Sequence, residues 1–124
     1  MKIHHIALDT PVFDETKAFY ETVCGCSYRG GWGEAGDRKC MLHLKDGCIL
    51  ELFERTEQKT QGAFWHIAIA TDEVDKAYET ALKNGATVHT PPKDVVIDME
   101  KPMAARLAFV YGTAGEIVEF FHEK

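Results

Sequence analysis

Apolar and polar positions change rhythm several times along the first 54 residues. Ile3 to Leu8 is a short apolar, β-prone run, and residues 14 to 23 then bring Ala18, Phe19 and Val23 onto one face of a helix. Gly30, Gly31, Gly33 and Gly36, with Trp32 and Glu34, read as a hairpin region. Met41 to Leu44 and Ile49 to Phe53 flank Lys45-Asp46-Gly47, a second hairpin signal. The same order restarts at His66. His66 to Ala70 is apolar and β-prone, and residues 73 to 83 place Val74, Ala77, Tyr78, Ala81 and Leu82 on one helical face, with Asp72 as the expected N-cap and Gly85 as the stop. TPPKDVVIDMEKP holds one strand between proline breakers, and Leu107 to Tyr111 and Ile117 to Phe121 flank a turn at Gly112 to Glu116.

Each half therefore reads as strand, helix, then three strands, and the wording repeats as well as the order. HHIALDT at 4–10 returns as WHIAIAT at 65–71, DETKAFYET as DEVDKAYET, and the strand ending KDGCILELFE as GTAGEIVEFFHE. Duplication is the economical explanation. It predicts an α+β fold of two tandem βαβββ modules in one domain over 1–124: a module at 1–54, the polar linker RTEQKTQGA at 55–63, and a module at 64–124.

Composition narrows the function classes. With 45% hydrophobic and 27% charged residues the chain has the make-up of a globular protein. A net charge of -6 argues against nucleic acid as a partner. No apolar run is long enough to span a bilayer and the N-terminus goes straight into a strand pattern, so a cytoplasmic protein with no membrane partner is expected. Cys24, Cys26, Cys40 and Cys48 lack the paired Cys-x-x-Cys spacing of structural zinc sites and are read as reduced thiols.

The candidate chemistry follows from strand alternation, which puts residues two apart on one face. His5 shares its face with Ala7, and His66 with Ala68 and Ala70, so each histidine looks onto a surface kept small. Glu51 faces the same way as Ile49 and Phe53, and Glu119 the same way as Ile117 and Phe121. A carboxylate on an apolar face costs several kcal/mol unless something compensates it, and a metal ion does. One histidine or one glutamate would say little. The same pair on the first and last strands of both modules points to His5, Glu51, His66 and Glu119 as metal ligands. Glu54 lies on the opposite face from Glu51 and is expected in solvent, and His4, His43, His89 and His122 lack this pairing and are read as ordinary residues.

On these residues the chain resembles the vicinal oxygen chelate superfamily, which includes glyoxalase I, methylmalonyl-CoA epimerase, extradiol dioxygenases and fosfomycin or bleomycin resistance proteins. The resemblance covers the whole chain and implies paired βαβββ modules in a cupped mixed sheet around one metal. The implied ligands are His5 in IHHIAL, Glu51 in ILELFE, His66 in WHIAIAT and Glu119 in EIVEFF. One divalent ion, Ni, Co, Zn, Mn or Fe, suits two imidazoles and two carboxylates, with open positions for two adjacent substrate oxygens. Glyoxalase I is closest in ligand pattern. It implies a lyase or isomerase acting through an enediolate, with Glu51 or Glu119 as the base and a small-molecule substrate over Ala7, Phe53, Ala68, Phe121 and Arg106. A homodimer is expected. The alternatives are a non-catalytic drug- or metabolite-binding protein of the resistance type, an epimerase, or an extradiol dioxygenase. Glyoxalases that use glutathione are similar in carrying arginine four residues after the first histidine and asparagine four after the first glutamate. Here Asp9 and Arg55 stand at those positions, leaving Arg29, Arg38, Lys39 and Arg106 as candidates for holding some other anion.

Overall fold

The computed structural model describes residues 4–57, 65–99 and 101–124. In chain order the elements are β1 (His5–Thr10), α1 (Phe13–Val23), β2 (Ser27–Trp32), β3 (Lys39–His43), β4 (Ile49–Glu54), β5 (Ile67–Ala70), α2 (Val74–Lys83), β6 (Thr87–Ile97), β7 (Met103–Tyr111) and β8 (Ile117–Glu123). The strands form two four-stranded sheets, ordered β1-β4-β3-β2 and β5-β8-β7-β6. In both, the first strand of the module runs parallel to its last and the rest pair antiparallel. Two copies of βαβββ are thus realised with identical topology. The chain divides into two compact units, one carrying β1 to β4 and α1 together with Thr113–Gly115, the other carrying the remaining strands and α2.

Each sheet is packed on one face by its own helix. In the first unit α1 buries Phe13, Thr16, Phe19 and Tyr20. It lies on β3 and β4, whose Cys40, Leu42, Leu50 and Leu52 are buried and pair as Leu42 with Leu50 and Cys40 with Leu52. In the second, Val74, Tyr78 and Ala81 of α2 lie over Val110, Val118, Ala108 and Phe120, again cross-strand partners. Each such fully buried Leu, Val or Phe contributes about 1.5–3 kcal/mol of apolar transfer. The opposite face of each sheet is left for the residues of the next strand parity, which include every proposed metal ligand.

Three local readings are revised. The N-cap of α2 is Glu73, not Asp72, and neither helix start has a side-chain cap; Thr71 Oγ1 instead accepts the Glu73 N–H at 3.1 Å. Gly30 and Gly31 belong to β2, and the turn falls at 33–38. The TPPKDVVI segment does not end at its prolines: β6 runs through Pro91 and Pro92 as an eleven-residue strand. It can do so because it is the outer strand of its sheet and its register shifts between Val88 and Thr90 and between Thr90 and Lys93, where no N–H is demanded of a proline. The linker expected at 55–63 lies partly outside the described residues, as does Ile3.

Candidate metal and substrate site

Parallel pairing of first and last strands places histidine beside glutamate. In the first unit Ala7 is in register with Glu51, and in the second Ala68 with Glu119, so each histidine sits one same-face step before the alanine opposite the carboxylate. His5 Nε2 lies 3.5 Å from Glu51 Oε2, and His66 Nε2 lies 3.1 Å from Glu119 Oε2. Glu51, 8% exposed, and Glu119, 7% exposed, are the only charged residues that are buried among the described residues. Desolvation pushes the Glu119 carboxyl above its ordinary value, and His66 beside it only partly opposes this. Each unit brings its own pair together; among the described residues no cluster of three or more histidine, cysteine or acidic side chains forms.

The donor chemistry fits a divalent cation. Two donors about 2.1 Å from one ion and at right angles are about 3 Å apart, close to the His66–Glu119 separation. The Nδ1 of His66 is buried with no hydrogen-bond partner among the described residues, while the ring is wedged edge-on against Trp65 and Phe109 at centroid distances of 4.7 and 5.4 Å. His5 differs. Its Nδ1 is 3.0 Å from Nδ1 of His4, and with His5 donating that bond its Nε2 presents a lone pair toward Glu51. Sequence reading missed His4 because neighbours along a strand point to opposite faces; His4 lies just before β1 begins, where alternation does not hold.

The family model described as Glyoxalase/Bleomycin resistance protein/Dioxygenase superfamily matches residues 2–120. The chain belongs to this superfamily. Solved structures agree on the glyoxalase-like fold. A glyoxylase/bleomycin resistance protein/dioxygenase domain from Frankia sp. EAN1pec is similar at a TM-score of 0.79 and 14% identity, covering 100% of this chain and 98% of that one. Glyoxalase I from Zea mays, as the V278E mutant, is similar at 0.78 and 19% identity over 97% of this chain and 44% of that one. The fosfomycin resistance protein FosX from Listeria monocytogenes, complexed with Mn(II) and sulfate, is similar at 0.73 and 16% identity over 100% and 93%. No curated protein matches in sequence.

Against that family background the remaining candidates sort by face. Ala7 and Phe53 lie on the Glu51 face, and Ala68 and Phe121 on the Glu119 face, by register. Arg106 does not. It pairs with His122, on the α2 side of the sheet, and is held there by Asp75 at 2.6 Å and Asp94 at 3.3 Å. Arg38 is clamped by Glu54 at 2.9 Å and Asp14 at 3.0 Å, and Lys39 by Asp37 at 2.6 Å. Glu54 is therefore on the opposite face from Glu51 as expected but bound, not merely solvated; the Arg38 hydrogen bonds hold its carboxyl down at about 2. Asp9 and Arg55 pair with one another at 3.3 Å, with the Arg55 guanidinium over the Phe53 ring. The cysteines are free thiols, and burial pushes Cys26 up to about 11. Among the described residues no helix is long and apolar enough to cross a membrane.

Proposed function

We propose that the protein is a metal-dependent lyase or isomerase of the glyoxalase type, acting on a small substrate with oxygens on adjacent carbons. His5, Glu51, His66 and Glu119 are its metal ligands, with one divalent ion (Ni, Co, Zn, Mn or Fe) per chain. The observation that carries this reading is the repeated, same-register His–Glu pair with its carboxylate buried on each sheet. When bound, such an ion supplies Lewis acidity to the substrate oxygens, making the neighbouring C–H more acidic. Glu119 or Glu51 takes the proton from that carbon and returns it to the adjacent one. The carboxylate acting as base would first loosen from the ion; for Glu119, burial then favours proton uptake. Ala7 and Ala68 keep the surface beside the histidines low, leaving room for substrate next to each carboxylate. The reading includes a cytoplasmic homodimer.

The test combines metal analysis with isotope exchange. Purified protein loaded with Ni, Co, Zn, Mn or Fe(II) should hold about one ion per chain, lost in His5→Ala and Glu119→Ala. In deuterated water it should exchange deuterium into the α-carbon of hemithioacetals or α-hydroxy-carbonyl compounds, and Glu51→Gln or Glu119→Gln should suppress the exchange. A folded protein that binds no metal and tightly retains an unchanged ligand would move the assignment to a non-catalytic binding protein. Oxygen uptake with catechols by the Fe(II) form, undiminished in Glu51→Gln, would move it to a dioxygenase.

A further inference from the structure

The first unit carries a groove of about 410 Å³ lined by His4, Arg29, Gly30, Gly31, Trp32 and Met41. That volume is within the range of small-molecule sites. Its position follows from register: Met41 is the cross-strand partner of Glu51, and Gly30 the partner of Met41 on the outer strand β2. The groove therefore begins beside Glu51 and reaches β2, whose backbone is two strands, about 10 Å, from that of β4.

Its chemistry is set by which cation is left without an acid. Of the four arginines, Arg38, Arg55 and Arg106 are each ion-paired to carboxylates. Arg29 has no carboxylate within ion-pair distance among the described residues, and its Nη1 stands 3.5 Å from His43 Nε2. The register of β2 shifts between Tyr28, opposite Leu42, and Gly30, opposite Met41, so Arg29 is the extra residue of a bulge and has no cross-strand partner. Gly30 keeps the groove floor open: apart from its chain neighbours, a Cβ there would meet no atom within 4 Å. Trp32, 47% exposed, supplies a flat apolar wall.

We infer that this groove anchors the anionic tail of the substrate, a carboxylate or phosphate held by Arg29, with the apolar body of the molecule over Met41 and Trp32. The inference rests on the proposed function for the reacting end, with Arg29 on the strand two removed from that of Glu51. Arg29 is a specificity-determining residue in this account. A guanidinium with no protein acid offers its donors to an oxyanion at little competing cost, whereas the other three would first have to leave their partners.

Binding is tested on chelated, metal-free protein, so that it succeeds or fails independently of the catalytic reading. In a Trp65→Phe background Trp32 is the sole tryptophan. Its fluorescence is titrated with 4-phenylbutyrate, phenyl phosphate and the neutral 4-phenylbutan-1-ol. At least one anion should give saturable quenching, about tenfold or more tighter than the alcohol, and the tighter anion identifies the tail. Arg29→Gln should weaken that anion about tenfold, with Arg29→Lys intermediate. Gly30→Leu, which fills the groove, should abolish binding with the melting temperature unchanged. No saturable quenching by either anion, equal affinity for the alcohol, or full affinity in folded Arg29→Gln or Gly30→Leu overturns the inference. Anion binding that obeys these expectations in a protein without metal or exchange activity would sink the catalytic proposal and leave the groove standing.

Discussion

Replacing Glu119 by methionine should make the metal-free protein more stable and the metal-treated protein less so. Glu119 is 7% exposed, shares its sheet face with Ile117 and Phe121, and faces Phe109 across the β7–β8 pair. Its partner is the imidazole of His66 at 3.1 Å, on a side chain 25% exposed. A carboxylate there forgoes most of its hydration for one contact, and methionine of similar length fills the space without it. Replacing buried ionic groups with well-packed apolar ones is commonly neutral or stabilising, and about 1 kcal/mol is expected here. For a chain of 124 residues that corresponds to a melting temperature higher by about 4 °C. Divalent metal at about 100 times its dissociation constant should stabilise the wild type by about 2.7 kcal/mol and leave Glu119→Met unmoved. Calorimetric melting of both proteins, with chelator and with metal, gives the four values needed. A metal-free Glu119→Met destabilised by about 2 kcal/mol or more would refute the reasoning, because the carboxylate would then be an internal partner of His66 and not a charge awaiting a cation.

Three further outcomes are expected. His4→Ala should lower metal affinity by about 10- to 100-fold in calorimetric titration with the fold unchanged, since it removes the 3.0 Å contact that orients His5; an unaltered affinity would return His4 to an ordinary surface role. The depressed Glu54 carboxyl contributes stability that is present above its ordinary value of 4.5 and lost as pH falls toward about 2, so urea midpoints should fall through that window and fall less steeply in Glu54→Gln. Leu52→Ala, at 0% exposure beneath α1, should cost about 2–5 kcal/mol by chemical denaturation and leave metal affinity per folded molecule intact.

The duplicated order of elements and the four His and Glu positions were legible because both depend on local periodicity, which survives without knowledge of tertiary contacts. Two strands with alternating parity and a repeated His-x-Ala suffice to put His5 with Ala7 and His66 with Ala68. Arg106, expected in the pocket, lies on the helix side, as its strand parity one step off Leu107 and Phe109 requires; what periodicity does not show is the partner that holds it there, Asp75, 31 residues earlier. The same blindness to distant partners hid the Asp9–Arg55 pair, the clamp on Glu54 and the continuation of β6 through two prolines at a sheet edge. Arg29 could be proposed but not chosen from sequence, because being the arginine without an acid is a property of three other arginines' partners.

The two units repeat topology, register and donor pair, but their grooves carry different charge: Arg29 lines the one in the first unit, while Asp72 and Glu123 line one of about 480 Å³ in the second. The consequence is one of divergence: duplicated donor pairs are alike, but an anion is attracted to the groove beside Arg29 and repelled from the one beside Asp72 and Glu123, so with Arg29 inferred as the anchor the first unit would seat an anionic tail and the second would not. Replacing Arg29 by glutamate should then leave neither groove with a preference for an anion over its neutral analogue.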